Sequence, residues 1–254
     1  MQGGDDSTAN AYLRYQETAA SRLRYTLAQM NMAQLHDLAR RLTVLDAAGG
    51  NGLNTEFLAR AEHRITLDDV DPQMLAQARD RLDRLGVLSR CVLVQGRLEE
   101  VAEALRGRQF DLIVCHHALE YLSNVPAVFQ AFHRLSGMGG ELSVITLNPV
   151  SEVIRSIVFQ HDPESARARL KDLRYDAKWF GQATLYPMDE LVSWAAQAGW
   201  TLYGYRGIRV LADYFPQSQM TVAKEAELLR LEEELGGLEP FRRFGRYLQF
   251  AFKR

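Results

Sequence analysis

Between residues 43 and 146 five short apolar runs, TVLD, RITLDD, CVLVQ, FDLIVC and ELSVIT, alternate with segments whose apolar residues recur at helical spacing. Strands that alternate with helices are joined by crossovers, so they lie parallel, and a parallel sheet is covered by helices on both faces. The pattern therefore predicts an α/β, doubly wound sheet. With 254 residues the chain fits one large domain. Its parts read as a helical cap over 1–41, a sheet core over 42–147, a helical and basic lid or insertion over 148–187, and final helices and strands over 188–254. Strand-like TLYGYRGIRVL and GRYLQFAFKR close the chain on either side of an acidic helix over 221–235.

Composition narrows the class further. Hydrophobic residues at 47% and charged residues at 24% match an ordinary globular protein rather than a fibrous or disordered one. No run approaches the eighteen apolar residues of a membrane span, and MQGGDDSTAN is polar and acidic where a signal peptide is basic and then apolar. No membrane association and a cytoplasmic location are the expectations. Cys91 and Cys115 lie singly in apolar runs with no ligand spacing to histidine, so no metal is expected. A net charge of −2 argues against gripping nucleic acid by bulk charge. Two segments are nonetheless basic, ARARLKDLRYDAKW over 166–179 and the tail over 239–254. Such segments are most often solvated helix faces.

The first candidate site is VLDAAGGNG over 44–52, where glycines let backbone N–H groups approach a ligand at the carboxyl end of a parallel sheet. A dinucleotide fingerprint begun at Gly50 needs its third glycine at position 55, where Thr55 stands, so a pyrophosphate is disfavoured. Asp69, twenty-three residues after Asp46, ends the second strand, where a carboxylate can accept both hydroxyls of a ribose. A ribose without a pyrophosphate points to S-adenosylmethionine. DAAGGNG, LDDVD and FDLIVCHHALEYL together resemble the motifs of class I S-adenosylmethionine-dependent methyltransferases. That resemblance implies a seven-stranded sheet whose last two strands form an antiparallel hairpin. It also implies that Asp46, Gly49, Gly50 and Gly52 lie by the methionine moiety, that Asp69 holds the ribose, and that Arg97 and Leu98 flank adenine. His116 and His117 fall beside the sulfonium; His116 is read as a cofactor contact and a candidate base, His117 as a packing residue.

The acceptor must be read from the ends of the chain, because this fold serves many substrates. SRLRYTLAQ over 21–29, GIRVLADY over 207–214 and EPFRRFGRYLQF over 239–250 resemble motifs of the bacterial tRNA 5-carboxymethoxyuridine methyltransferase family, although that family more often has AGGGEG where this chain has AAGGNG. The resemblance implies a carboxylate acceptor at the tRNA wobble position and gives Arg24 the cofactor's methionine carboxylate. Arg209 and then Arg246 are the candidates for orienting the acceptor, with Tyr214 and Tyr247 beside it. Structural ion pairs, Arg209 with Asp213 and Arg246 with Glu239, are the competing reading for both. For an anticodon loop, Arg174 and Tyr175 belong to a segment, Arg167 to Lys178 with Trp179, that mixes cations with stacking faces. A small-molecule O-methyltransferase with His116 or His117 as base, and a cofactor-binding protein without transfer, remain the alternatives.

Overall fold

The computed structural model describes residues 13–177 and 181–254; Lys178, Trp179, Phe180 and the first twelve residues of the cap lie outside the described residues. Each apolar run forms a strand: β1 (Thr43–Asp46), β2 (Arg64–Asp69), β3 (Cys91–Gln95), β4 (Phe110–His116) and β5 (Ser136–Leu147). They pair in parallel in the order β3-β2-β1-β4-β5. The two tail segments become β8 (Thr201–Ile208) and β9 (Tyr247–Lys253); β9 runs antiparallel to both β5 and β8. The sheet is thus seven-stranded and mostly parallel, with the expected antiparallel hairpin at one edge.

Crossover helices start where the chain supplies caps. Gly52, with φ +77, opens α2 (Leu53–Arg60), which follows the cap helix α1 (Ala19–Leu35). Asp71 accepts the N–H of Gln73 at 2.8 Å ahead of Pro72 and opens α3 (Pro72–Arg84). Next come α4 (Leu98–Ala104) and α5 (Val125–Leu135), the latter amphipathic with Phe129 and Phe132 fully buried. One face of the sheet packs these rings against Phe250, Phe252 and Trp200, and the other packs Met32, Leu58 and Leu82 over Val44 and Val114. Among the described residues no helix is long and apolar enough to cross a membrane.

The insertion departs from its helical reading in its second half. It opens with α6 (Pro149–Val158) and α7 (Pro163–Arg169), then forms a hairpin of β6 (Arg174–Ala177) and β7 (Gly181–Thr184). Gly181 adopts φ +76, which ends any helix there, and Tyr175 opposite Ala183 turns inward to the cluster around Leu185 and Leu147. Beyond it lie α8 (Met188–Gln197) and α9 (Val222–Gly237), with α9 packed on β8 and on α1. Strand order reverses between β1 and its neighbours β2 and β4, and ligands of open α/β sheets bind outside the carboxyl ends of the strands at such a switch point.

Candidate functional site

A cleft of about 840 Å³ opens at that point, between the carboxyl ends of β1 to β4, helix α1 and the β6–β7 hairpin. Beneath its wall, and not on it, lies Asp46, which is fully buried and accepts the Thr55 hydroxyl at 2.6 Å, while its Oδ1 has no partner among the described residues. Burial pushes this carboxyl up to about 6 against the pull of the Thr55 bonds. The loop crosses directly over it: a Cβ on residue 49 would sit 2.7 Å from the Asp46 Cγ, so only glycine passes. Gly50, at φ +57, turns its N–H onto Asp69 Oδ2 at 2.8 Å, and Asp71 N–H meets Asp69 Oδ1 at 2.9 Å. Each Asp69 oxygen keeps a lone pair for a hydroxyl donor. Burial raises the Asp69 carboxyl above its usual range despite those bonds. Gly52 lies behind this loop, against Ala78, rather than on the cleft wall.

Asp68 belongs to the acidic floor of the cleft and was not among the sequence candidates. It is 1% exposed, lines the cleft, takes a long 3.4 Å bond from Ala48 N–H and has an unpartnered Oδ1 among the described residues. Burial, with Asp46 and Asp69 adding repulsion, lifts it to about 8. Beside these carboxylates is an apolar slot formed by Leu98, Met74 and Val70, the last 61% exposed although apolar. Arg97 flanks the slot with a largely exposed side chain near Glu99. Two carboxylates open to hydroxyls or an ammonium, a glycine turn and an apolar slot together fit the amino-acid, ribose and base portions of S-adenosylmethionine.

The histidines are poor bases here. His116 is buried, its Nε2 lies 2.9 Å from Ser143 Oγ, and burial pushes its pKa down to about 3. His117, at φ +59, sets its ring edge-on to Tyr247 at 4.7 Å; burial first, then the positive charge of Arg24 and, more weakly, Arg209, hold it well below the usual value. The acid–base group that sequence reasoning missed is Glu120. It is 3% exposed, lines the cleft and accepts Leu147 N–H at 3.0 Å, and burial lifts it to about 7. The run LEYL after the two histidines carried this residue in plain view, but nothing in the run marks its burial.

Opposite the floor stands a buried ionic cluster drawn from distant parts of the chain. Arg209 follows β8 at φ +56 and donates from Nε to Asp213 Oδ1 at 2.7 Å and also from Nη2; its Nη1 makes no hydrogen bond among the described residues. Arg246 donates from Nη1 to Glu152 and from Nη2 to the Tyr175 hydroxyl at 3.0 Å. Arg155 bridges the two acids, bonding Asp213 at 2.6 Å and lying 3.8 Å from Glu152. Three guanidinium groups thus meet two carboxylates, an excess of one positive charge. Arg24 adds a guanidinium carbon 5.6 Å from the Tyr247 ring centre, where Arg209 and Arg246 each lie at 5.9 Å. Burial alone would raise the Tyr247 phenol, yet Arg24, Arg209 and Arg246 together hold it below its ordinary value.

Arg24, Gly49, Gly50, Asp69, Arg97, Leu98, His116, Tyr175, Arg209, Arg246 and Tyr247 therefore converge on one cleft. Arg209 does pair with Asp213, whereas Arg246 pairs with Glu152; Glu239 is taken by Arg242 and Arg243. Four candidates stand apart from the cleft wall: Asp46 is buried beneath Gly49 and Gly52 lies behind the loop, while the other two are on the outside. Arg174 is exposed and bonded to Asp172, and Tyr214 stacks on Phe159 outside the cleft wall. Among the described residues no group of His, Cys, Asp and Glu is arranged to hold a metal ion.

Known proteins place this geometry. A methyltransferase domain model matches residues 44–140. The chain is 27% identical over 221 residues to a tRNA 5-carboxymethoxyuridine methyltransferase of Escherichia coli (strain K12), covering 85% of this chain and 81% of that one. It is 31% identical over 176 residues to a ubiquinone/menaquinone biosynthesis C-methyltransferase of Xylella fastidiosa (strain M23), covering 65% and 68%. In fold it is similar to an S-adenosylmethionine dependent methyltransferase from Mesorhizobium loti, with a TM-score of 0.60, 15% identity and coverage of 94% and 99%.

Proposed function

This chain belongs to the class I S-adenosylmethionine-dependent methyltransferases, and from that premise we propose that it methylates the carboxylate of 5-carboxymethoxyuridine at the wobble position of tRNA, forming the methyl ester. The observation that carries this reading is the unbalanced cluster: among the described residues Arg155, Arg209 and Arg246 form ion pairs with Glu152 and Asp213 alone, at the cleft and almost wholly buried for Arg209 and Arg246. An excess buried cation is costly unless an anion arrives to pair with it. A carboxylate acceptor is such an anion, and a relative matched over 85% of this chain carries that acceptor in its name.

S-adenosylmethionine supplies a methyl group on a positively charged sulfur and leaves as a neutral thioether. A carboxylate is ionised at neutral pH, so the reaction moves no proton and needs no base. Orientation and exclusion of water are what the protein must supply. Arg209 presents Nη1 to the non-attacking acceptor oxygen, its other nitrogens being fixed by Asp213. Gripping both oxygens would lower nucleophilicity, so Arg246 acts from one side, held by Glu152 and Tyr175. Asp69 takes the ribose hydroxyls, Arg24 the methionine carboxylate, and Leu98 with Met74 the adenine. His116 stays neutral and contributes shape and a ring nitrogen rather than proton transfer.

A hydroxyl acceptor on a small molecule is the second reading. It is favoured by Glu120, whose carboxyl near 7 is matched to base catalysis at neutral pH. The two are separated by incubating the protein with methyl-labelled S-adenosylmethionine and bulk bacterial tRNA, then digesting to nucleosides. The carboxylate reading predicts label in a base-labile methyl ester. Unlabelled tRNA, with cofactor binding intact, would move the assignment to the hydroxyl acceptor.

A further inference from the structure

A smaller cavity of about 230 Å³ adjoins the main cleft and shares Arg155 and Tyr175 with it. Its wall includes Phe159, which is 46% exposed although it caps the C-terminal end of α6. Phe159 lies parallel to Tyr214, 4° between planes and 5.7 Å between centres, and the Arg155 guanidinium carbon lies 4.9 Å from its ring centre. Arg155 is itself tethered to Asp213 and Glu152, so the platform is braced from the catalytic side. The remaining wall is polar: Glu152, already paired with Arg246, then Gln160, Asp176 and Arg169, the last bonded to Arg174 O at 2.5 Å.

An aromatic surface left half open beside a fixed guanidinium offers a stacking face that accepts any nucleobase, since each has a π-face. An amide and a carboxylate at its margin can meet a base edge, and Arg169 can meet a phosphate. We propose that this cavity is a nucleotide subsite, in which the base next to the modified wobble uridine stacks on Phe159 while the uridine side chain enters the main cleft. The inference rests on the tRNA reading above and adds to it the means by which an anionic loop is held without a strongly basic protein. Tyr214, which lies off the main cleft, takes a role here as the ring that supports Phe159.

The test is a double-mutant cycle on binding. Anticodon stem-loop RNA carrying the wobble oxyacetic acid is titrated, with S-adenosylhomocysteine present, into wild type, Phe159→Ala and Phe159→Trp, and then repeated with an abasic nucleotide on either side of the wobble position. Base–aromatic stacking predicts about a tenfold rise in Kd for Phe159→Ala with the intact loop, and retention of affinity by Phe159→Trp. For one of the two abasic loops the loss on Phe159→Ala shrinks to less than about twofold. Unchanged S-adenosylhomocysteine affinity checks that the variants are folded. Equal losses on intact and abasic loops, or no loss on any, overturn the subsite alone. If wild type binds S-adenosylhomocysteine but not the intact stem-loop, the tRNA reading falls, and the subsite with it.

Discussion

Replacing Asp68 with Asn isolates the electrostatics of the cofactor floor, because the amide keeps an oxygen for the Ala48 N–H but cannot titrate. In the unfolded chain an aspartate loses its proton near pH 3.9, roughly. In the fold, burial first and then repulsion from Asp46 and Asp69 hold it until about 8. The native state therefore binds this proton more tightly than the unfolded state does. The group favours folding most in acid, and that advantage drains by about 1.4 kcal/mol per pH unit as the pH climbs from the lower value to the upper. From pH 5 to pH 8 the ceiling is about 4 kcal/mol, and sharing of the field with Asp46 and Asp69 reduces it to about 2 to 4 kcal/mol. Urea unfolding of cofactor-free wild type and Asp68→Asn at pH 5, 6, 7 and 8 reads this directly. The variant should gain on wild type steadily across the series. Parallel pH dependences would refute the buried, proton-holding carboxyl.

The division of labour in the cleft makes Asp69→Ala and Arg209→Ala diverge. Asp69→Ala should weaken S-adenosylmethionine binding by at least about tenfold through two lost charge-assisted bonds, whereas Arg209→Ala should leave it within about twofold and depress methyl transfer; titration calorimetry showing equal losses would remove the split. Since burial holds His116 near 3, His116→Asn should lower the rate without altering the shape of the pH–rate profile between about pH 5.5 and 8.5, and loss of a limb in that window would restore it as a base. Stem-loop affinity measured against salt should give a slope of magnitude about two to three, as few phosphates are met, and a slope near zero would contradict RNA binding.

The sheet was legible because strands covered on both faces must be runs of apolar residues, and β1, β2, β4 and β5 announce themselves as such; edge strand β3 keeps the apolar run CVLVQ although Val92 is 52% exposed. The β6–β7 hairpin was not, since RYDA and GQAT are short, mixed and bury only alternate residues against Leu185 and Leu147. Local chemistry was legible in the glycine loop, where Gly49 and Gly50 answer to backbone needs that any sequence reader can infer. Burial was not: Asp68, Glu120 and His116 are ordinary letters whose proton affinities are set by neighbours the chain brings in from elsewhere. The ionic cluster is the extreme case. Arg246 and Glu152 are 94 residues apart and Arg155 and Asp213 are 58 apart, so only the folded chain, which brings the segments flanking β8 and β9 to α6, reveals that three cations share two anions.

That shared imbalance is tested most directly by a pair of acceptors differing in one group. Methyl-labelled S-adenosylmethionine is given with tRNA bearing the wobble oxyacetic acid, and separately with the same tRNA lacking the carboxymethyl group. Label confined to the first tRNA, as a base-labile ester, is the predicted result. Equal labelling of both, or of neither while a small hydroxylic acceptor is methylated, would contradict a carboxylate held by Arg209 and Arg246.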